Sequence, residues 1–109
     1  MKAIIYVRVS TIEQAEKGYS LKAQQKECIK FALNNGYEVD KIFIERGESA
    51  KTQIRTKLAK MLNYIAINKK RISAVIIWKL DRLTRNLADF KNLEKTFMKL
   101  DVRMLSVTE

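Results

Sequence analysis

The sequence predicts an α/β domain, a mainly parallel sheet of about four strands flanked by helices. Three observations predict it. Short apolar, β-branched runs recur along the chain, and stretches with helical apolar spacing separate them. The third is length: 109 residues with three Gly and no Pro suit one continuous domain without a linker. Strands alternating with helices of this size imply βαβ units, hence parallel pairing through right-handed crossovers.

Ala3–Val9 (AIIYVRV) is apolar without alternation, the pattern of a strand buried on both faces. Ser20 can cap a helix running from Leu21 to about Asn34, which Asn35-Gly36 would stop. Val39–Ile44 is a second strand. Within Arg55–Asn68, the residues Leu58, Met61, Leu62 and Ile65 share one helical face. Ala74–Trp78 (AVIIW) is the clearest later strand. Leu87, Phe90, Leu93, Phe97 and Leu100 line a third helix that Asn86 can cap, and Val102–Val107 is a weaker fourth strand. No internal repeat or low-complexity segment interrupts this order.

Composition narrows the function. An apolar content of 47% and a charged content of 31% fit a folded soluble domain rather than a disordered chain. The lone Cys28 excludes an internal disulfide and a Cys-based zinc site, and suits a reducing cytoplasm. The apolar start up to Val7 is too short for a signal peptide or a membrane span. Net charge is +10, and it is uneven: residues 1–50 carry 8 Lys/Arg against 7 Asp/Glu, residues 51–109 carry 14 against 5. Such a surplus suits a polyanionic partner, although a solvated basic surface would look the same.

In open parallel sheets the ligand crevice lies beyond the carboxyl ends of the strands. The segments expected there are Arg8–Gln14, Glu45–Arg55 and Lys79–Asn86. They hold Arg8, Arg46, Lys51, Arg55, Lys79, Arg82 and Arg85, with the hydroxyls of Ser10, Thr11, Ser49, Thr52 and Thr84. Without His there is no Ser-His-Asp triad. No GxGxxG or Walker-type glycine loop occurs, and the acidic residues form no cluster for two metals. A hydroxyl nucleophile among fixed guanidiniums remains, and planar Arg forks match the non-bridging oxygens of a phosphodiester.

Local readings compete with this chemistry. Ser10 with Glu13 fits a capping box, as does Thr11 with Gln14, and taken alone Ser10 reads better as a cap than as a nucleophile. Asp81, Arg82 and Arg85 would pass as a solvated segment with a weak ion pair. Arg8, a charge ending a buried strand, is harder to explain without a partner or a task.

Three blocks in order change that balance. Tyr6-Val7-Arg8-Val9-Ser10-Thr11 followed by Glu13-Gln14 resembles the opening of the resolvase/invertase family of serine recombinases. Gly18-Tyr19-Ser20-Leu21 with Gln24 continues the match in the form typical of the large serine recombinases and integrases. Ser49-Ala50-Lys51 with Arg55 resembles the family's second block, and Trp78 to Asn86 its Asp-Arg-Leu-x-Arg block. The resemblance covers essentially the whole chain and implies a three-layer, resolvase-like catalytic domain over residues 1–109. It implies that Ser10 forms a 5′-phosphoserine link to double-stranded DNA for strand exchange, without metal, ATP or other cofactor. It assigns Arg8, Arg55, Arg82 and Arg85 to the phosphate and the transition state, and Asp81 to orienting the arginines. Tyr6, Gln14, Gln24 and Ser49 match supporting positions.

Two departures stand out: Thr56 where the family usually has Pro, and Glu45 near a common Asp. The family's long oligomerisation helix and separate DNA-binding domain are not in these 109 residues. The fragment is therefore expected to be inactive alone, and to form dimers or tetramers only within a longer protein. Two other readings remain: a non-catalytic basic α/β module for nucleic-acid binding or oligomerisation, and a small phosphoester hydrolase using the same segments.

Overall fold

The computed structural model describes residues 1–10, 21–47, 56–78 and 87–108. Seven elements alternate: β1 (Lys2–Ser10), α1 (Leu21–Asn34), β2 (Glu38–Gly47), α2 (Thr56–Ile67), β3 (Ile72–Ile77), α3 (Leu87–Lys99) and β4 (Arg103–Ser106). The four strands form one sheet in the order β2-β1-β3-β4. Every neighbouring pair is parallel. The expected α/β architecture is therefore the observed one.

Strand β1 is central because its sequence suits both faces. Ala3, Ile4, Ile5, Tyr6 and Val7 are all buried, and successive side chains of a strand leave on opposite sides. Ala3, Ile5 and Val7 pack with Cys28 and Ala32 of α1 and with Ala74, Ile76 and Trp78. Ile4 and Tyr6 pack on the other face with Met61 and Ile65 of α2, and with Leu93 and Phe97 of α3. Each helix thus docks through residues four apart, one turn of the α-helix. Burying one such Leu or Ile contributes roughly 1.5–3 kcal/mol, which far exceeds what helix propensity supplies to helices this short.

The helices leave by compact turns. After α1, the Gly36 amide donates to the Leu33 carbonyl at 3.2 Å and the Tyr37 amide to the Ala32 carbonyl at 2.9 Å. This is a Schellman stop, and Gly36 takes its left-handed position at φ 81°. α3 ends the same way: the Val102 amide donates to Phe97 and the Asp101 amide to Met98, both at 3.1 Å. Here Asp101 holds the left-handed residue at φ 57°. Asn68 closes α2 by donating its side-chain amide to the Tyr64 carbonyl at 2.9 Å.

Strand lengths differ from the sequence expectation for one reason. Glu45, Arg46 and Gly47 carry no apolar signal, yet they continue β2 because the ladder with β1 runs on to Arg8↔Glu45 and Ser10↔Gly47. β3 likewise starts earlier, at Ile72, which is buried. β4 is shorter than Val102–Val107, but Val107 still donates its amide to the Ile77 carbonyl at 2.9 Å.

Candidate functional site

The strand order places the topological switch at the β1–β3 boundary. The chain leaves β1 toward β2 on one side and then crosses to β3 and β4 on the other. Crossovers that diverge at this point open a crevice beyond the carboxyl ends of β1 and β3. Residues 11–20, 48–55 and 79–86, which follow β1, β2 and β3 in the chain, lie outside the described residues. The turns at the opposite edge are three or four residues each.

Ser10 is the last residue of β1 and is paired with Gly47. The helix it was expected to cap falls in residues 11–20, outside the described residues. Arg8 lies two residues back on the same strand, half-buried and in register with Glu45. Gln14, Ser49, Arg55, Asp81, Arg82 and Arg85 also lie outside the described residues. What the structure fixes is the elements that carry those segments and how they are anchored.

One anchor is Glu45, whose role the sequence leaves open. Its side chain is buried. Its Oε1 accepts the amides of Lys57 at 3.0 Å and Leu58 at 3.1 Å, so it caps α2 from a neighbouring strand. The Tyr6 hydroxyl donates to the same oxygen at 3.3 Å. Tyr6 is thus placed inside the domain, 1% exposed, as a partner of Glu45. The start of α2, which Arg55 immediately precedes in the chain, is thereby tied to β1 and β2. A carboxylate is the right group there, since the helix N-terminus carries partial positive charge.

A second anchor holds the end of β3. The Trp78 carbonyl accepts the Thr108 amide at 3.2 Å and the Thr108 hydroxyl at 3.0 Å. The indole is buried on the α1 face. Trp78 is the residue from which the Asp81–Arg85 stretch departs. Neither anchor was legible beforehand, because the bonds join residues 12, 13, 30 and 39 positions apart.

Gln24 sits in the first turn of α1, at the same edge, and is buried. Its Oε1 has no hydrogen-bond donor among the described residues. Cys28, one turn further on, behaves differently. Burial, with a smaller contribution from Glu27, raises its thiol from 9.0 to about 12, which makes it an inert core residue.

The open, parallel sheet covered by helices on both faces is an α/β architecture with its switch point between β1 and β3. The pattern of the family described as "Resolvase, N terminal domain" matches residues 3–109. The chain belongs to that family, and its domain is a serine recombinase domain. Among solved structures it is similar to the N-terminal catalytic domain of TP901-1 integrase, with a TM-score of 0.84 and 32% identity, covering 99% of this chain and 79% of that one. A resolvase family site-specific recombinase from Streptococcus pneumoniae gives 0.82 and 33%, covering 99% and 72%. A curated relative, uncharacterized immunity region protein 3 of Bacillus phage phi105, is 44% identical over 61 residues, which make up 56% of this chain and 74% of the relative. Family and neighbours associate the chain with site-specific recombination. Among the described residues, no helix is long and apolar enough to cross a membrane.

Proposed function

We propose that residues 1–109 form a catalytic domain that cuts and rejoins DNA strands with Ser10 as nucleophile. The observation that carries this is the place of Ser10: it ends the central strand at the switch point, two residues beyond a half-buried Arg8. In the proposed step the Ser10 hydroxyl gives up its proton to solvent as its oxygen bonds to phosphorus, and the bond from phosphorus to the 3′-oxygen breaks. The departing oxygen takes up a proton and leaves as a 3′-hydroxyl. The 5′-phosphoserine ester keeps the bond energy, so religation is the reverse step and needs no ATP. Charge on the non-bridging oxygens is balanced by Arg8, Arg55, Arg82 and Arg85, with Asp81 holding the guanidiniums in line. Preorganised donors of this kind are often the largest catalytic contribution, about 2.7–4 kcal/mol per lost donor. One chain supplies one Ser10 and cuts one strand. Exchange between two duplexes therefore requires four copies, and self-association is part of the proposal.

The test uses the protein that carries this chain and a nicked duplex that traps the cleaved state. Denaturing gels should show a covalent DNA adduct that Ser10→Ala abolishes while binding persists. A Ser10→Ala protein forming the same adduct would sink the assignment. The phage relative favours a second reading: 61 residues make up 74% of it, so it is shorter than this chain. A stand-alone basic module that binds nucleic acid without cutting it would bind DNA with a steep salt dependence and form no adduct under any condition.

A further inference from the structure

From Ser49 to Leu80 the chain carries eight Lys and Arg and not one Asp or Glu. The described part of this stretch folds as α2, the turn after it and β3. On α2, Met61 and Ile65 face the sheet, and Lys57, Lys60, Asn63 and Ile67 are exposed at helical spacing of three to four. The stripe continues into Lys69, Lys70 and Arg71, all exposed. These residues line an open concavity of about 400 Å³ together with Ile67 and Asn68.

Neighbouring groups reinforce the charge. Lys41 of β2 is exposed and stands 4.9 Å from the ring centre of Tyr64 on α2 and 5.3 Å from that of Phe43. That contact holds a further cation on this side of the sheet. Asp40 and Glu45, two carboxylates of β2, are both engaged. Asp40 accepts the Tyr64 hydroxyl and pairs with Arg71 at 3.7 Å and Lys2 at 3.8 Å. Glu45 is buried beneath the start of α2. The hydrogen bond to Asp40 also raises the Tyr64 pKa, so the phenol stays neutral and adds no negative charge.

We infer that this face, from Lys57 down to Arg71, is a second contact for the DNA backbone, separate from the phosphate site at Ser10. Its dimensions suit a duplex. A helix of 12 residues spans about 18 Å, and that length of duplex carries about five phosphates per strand. The inference rests on DNA as the substrate and not on the chemistry of Ser10. Cations along the face, with Ile67 as the one large apolar side chain exposed on α2, fit a regular polyanion better than a lipid surface, which an apolar helix face would enter.

The test is fluorescence anisotropy of the 109-residue chain on a labelled duplex of arbitrary sequence, with affinity measured against salt. Replacing Lys57, Lys60, Lys69 and Lys70 by Ala should flatten the log–log slope by about 3–4, at about 0.9 per lost phosphate contact. The comparison variant removes four exposed lysines elsewhere, Lys22, Lys26, Lys30 and Lys91. Its slope should change by less than about 1. Equal flattening in both variants would reduce the face to diffuse net charge and overturn the inference. So would tighter binding of phosphatidylserine vesicles than of DNA, lost in the same four-lysine variant. Ser10→Ala should leave the slope unchanged, and the four-lysine variant should still form the covalent adduct at saturating DNA. Loss of the adduct and loss of the slope therefore report on different proposals.

Discussion

Replacing Glu45 by Ala should destabilise the domain by about 2–4 kcal/mol. The magnitude is built from three losses. Removing a helix-capping side chain costs about 0.5–2 kcal/mol, and here one oxygen serves two amides, those of Lys57 and Leu58. A partly buried charge at a helix N-terminus adds up to about 2 kcal/mol. The Tyr6 bond adds least, since 3.3 Å is long for an O–H donor. Glu45→Gln keeps the accepting oxygen and loses only the charge, so about 1 kcal/mol is expected. Urea titration followed by circular dichroism measures both. With an unchanged slope of about 2 kcal/mol per M, the alanine variant's midpoint should fall by about 1–2 M. Tyr6→Phe combined with Glu45→Ala should cost less than the sum of the two, because the residues share a bond. An alanine variant within about 0.5 kcal/mol of the parent would refute the cap. A glutamine variant as damaged as alanine would show that the accepting oxygen is not what matters.

Three further outcomes are expected. Asp101→Gly should stabilise the domain by about 0.5–1 kcal/mol, since a left-handed residue without Cβ ends α3 with less strain; a lower melting temperature would contradict this. Cys28 should resist thiol reagents at pH 8 in the folded state and react on unfolding. Its folded pKa of about 12 lies above the ordinary 9.0, so its contribution to stability is complete below pH 9 and is lost as pH rises toward 12. Titrating the melting temperature from pH 8 to 11 against a Cys28→Ala control checks the sign. Arg82→Lys should abolish adduct formation in the trapping assay, because an ammonium cannot reproduce a bidentate fork; near-normal adduct yield would remove Arg82 from the transition state.

Much of the scaffold was legible because local chemistry and packing agree in it. The β1 run is apolar on both faces because α1 covers one face and α2 and α3 the other. Asn35-Gly36 announced the end of α1 because only a residue tolerant of positive φ closes that turn cheaply. The matching stop at Asp101 gave no such sign, since Asp reaches the left-handed region rarely and without a sequence signature. At the candidate site, Arg8 was readable as a charge ending a buried strand, whereas Ser10, taken alone, read as a helix cap and is the last residue of β1. Glu45 was not readable as a cap, because its amide partners lie 12 and 13 residues downstream. The reach of β2 to Gly47 was hidden similarly, being imposed by pairing with β1.

The short turns at the amino edge have a consequence for how this domain can change over time. Asn35–Tyr37 and Leu100–Val102 each deliver a core residue, Tyr37 or Val102, directly into position ahead of a strand. One inserted residue there would advance the strand by one place and turn its inward side chains outward. Length variation should therefore be lethal at that rim. A deep insertion scan would then pick out these turns as a fixed rim that keeps the strands in phase.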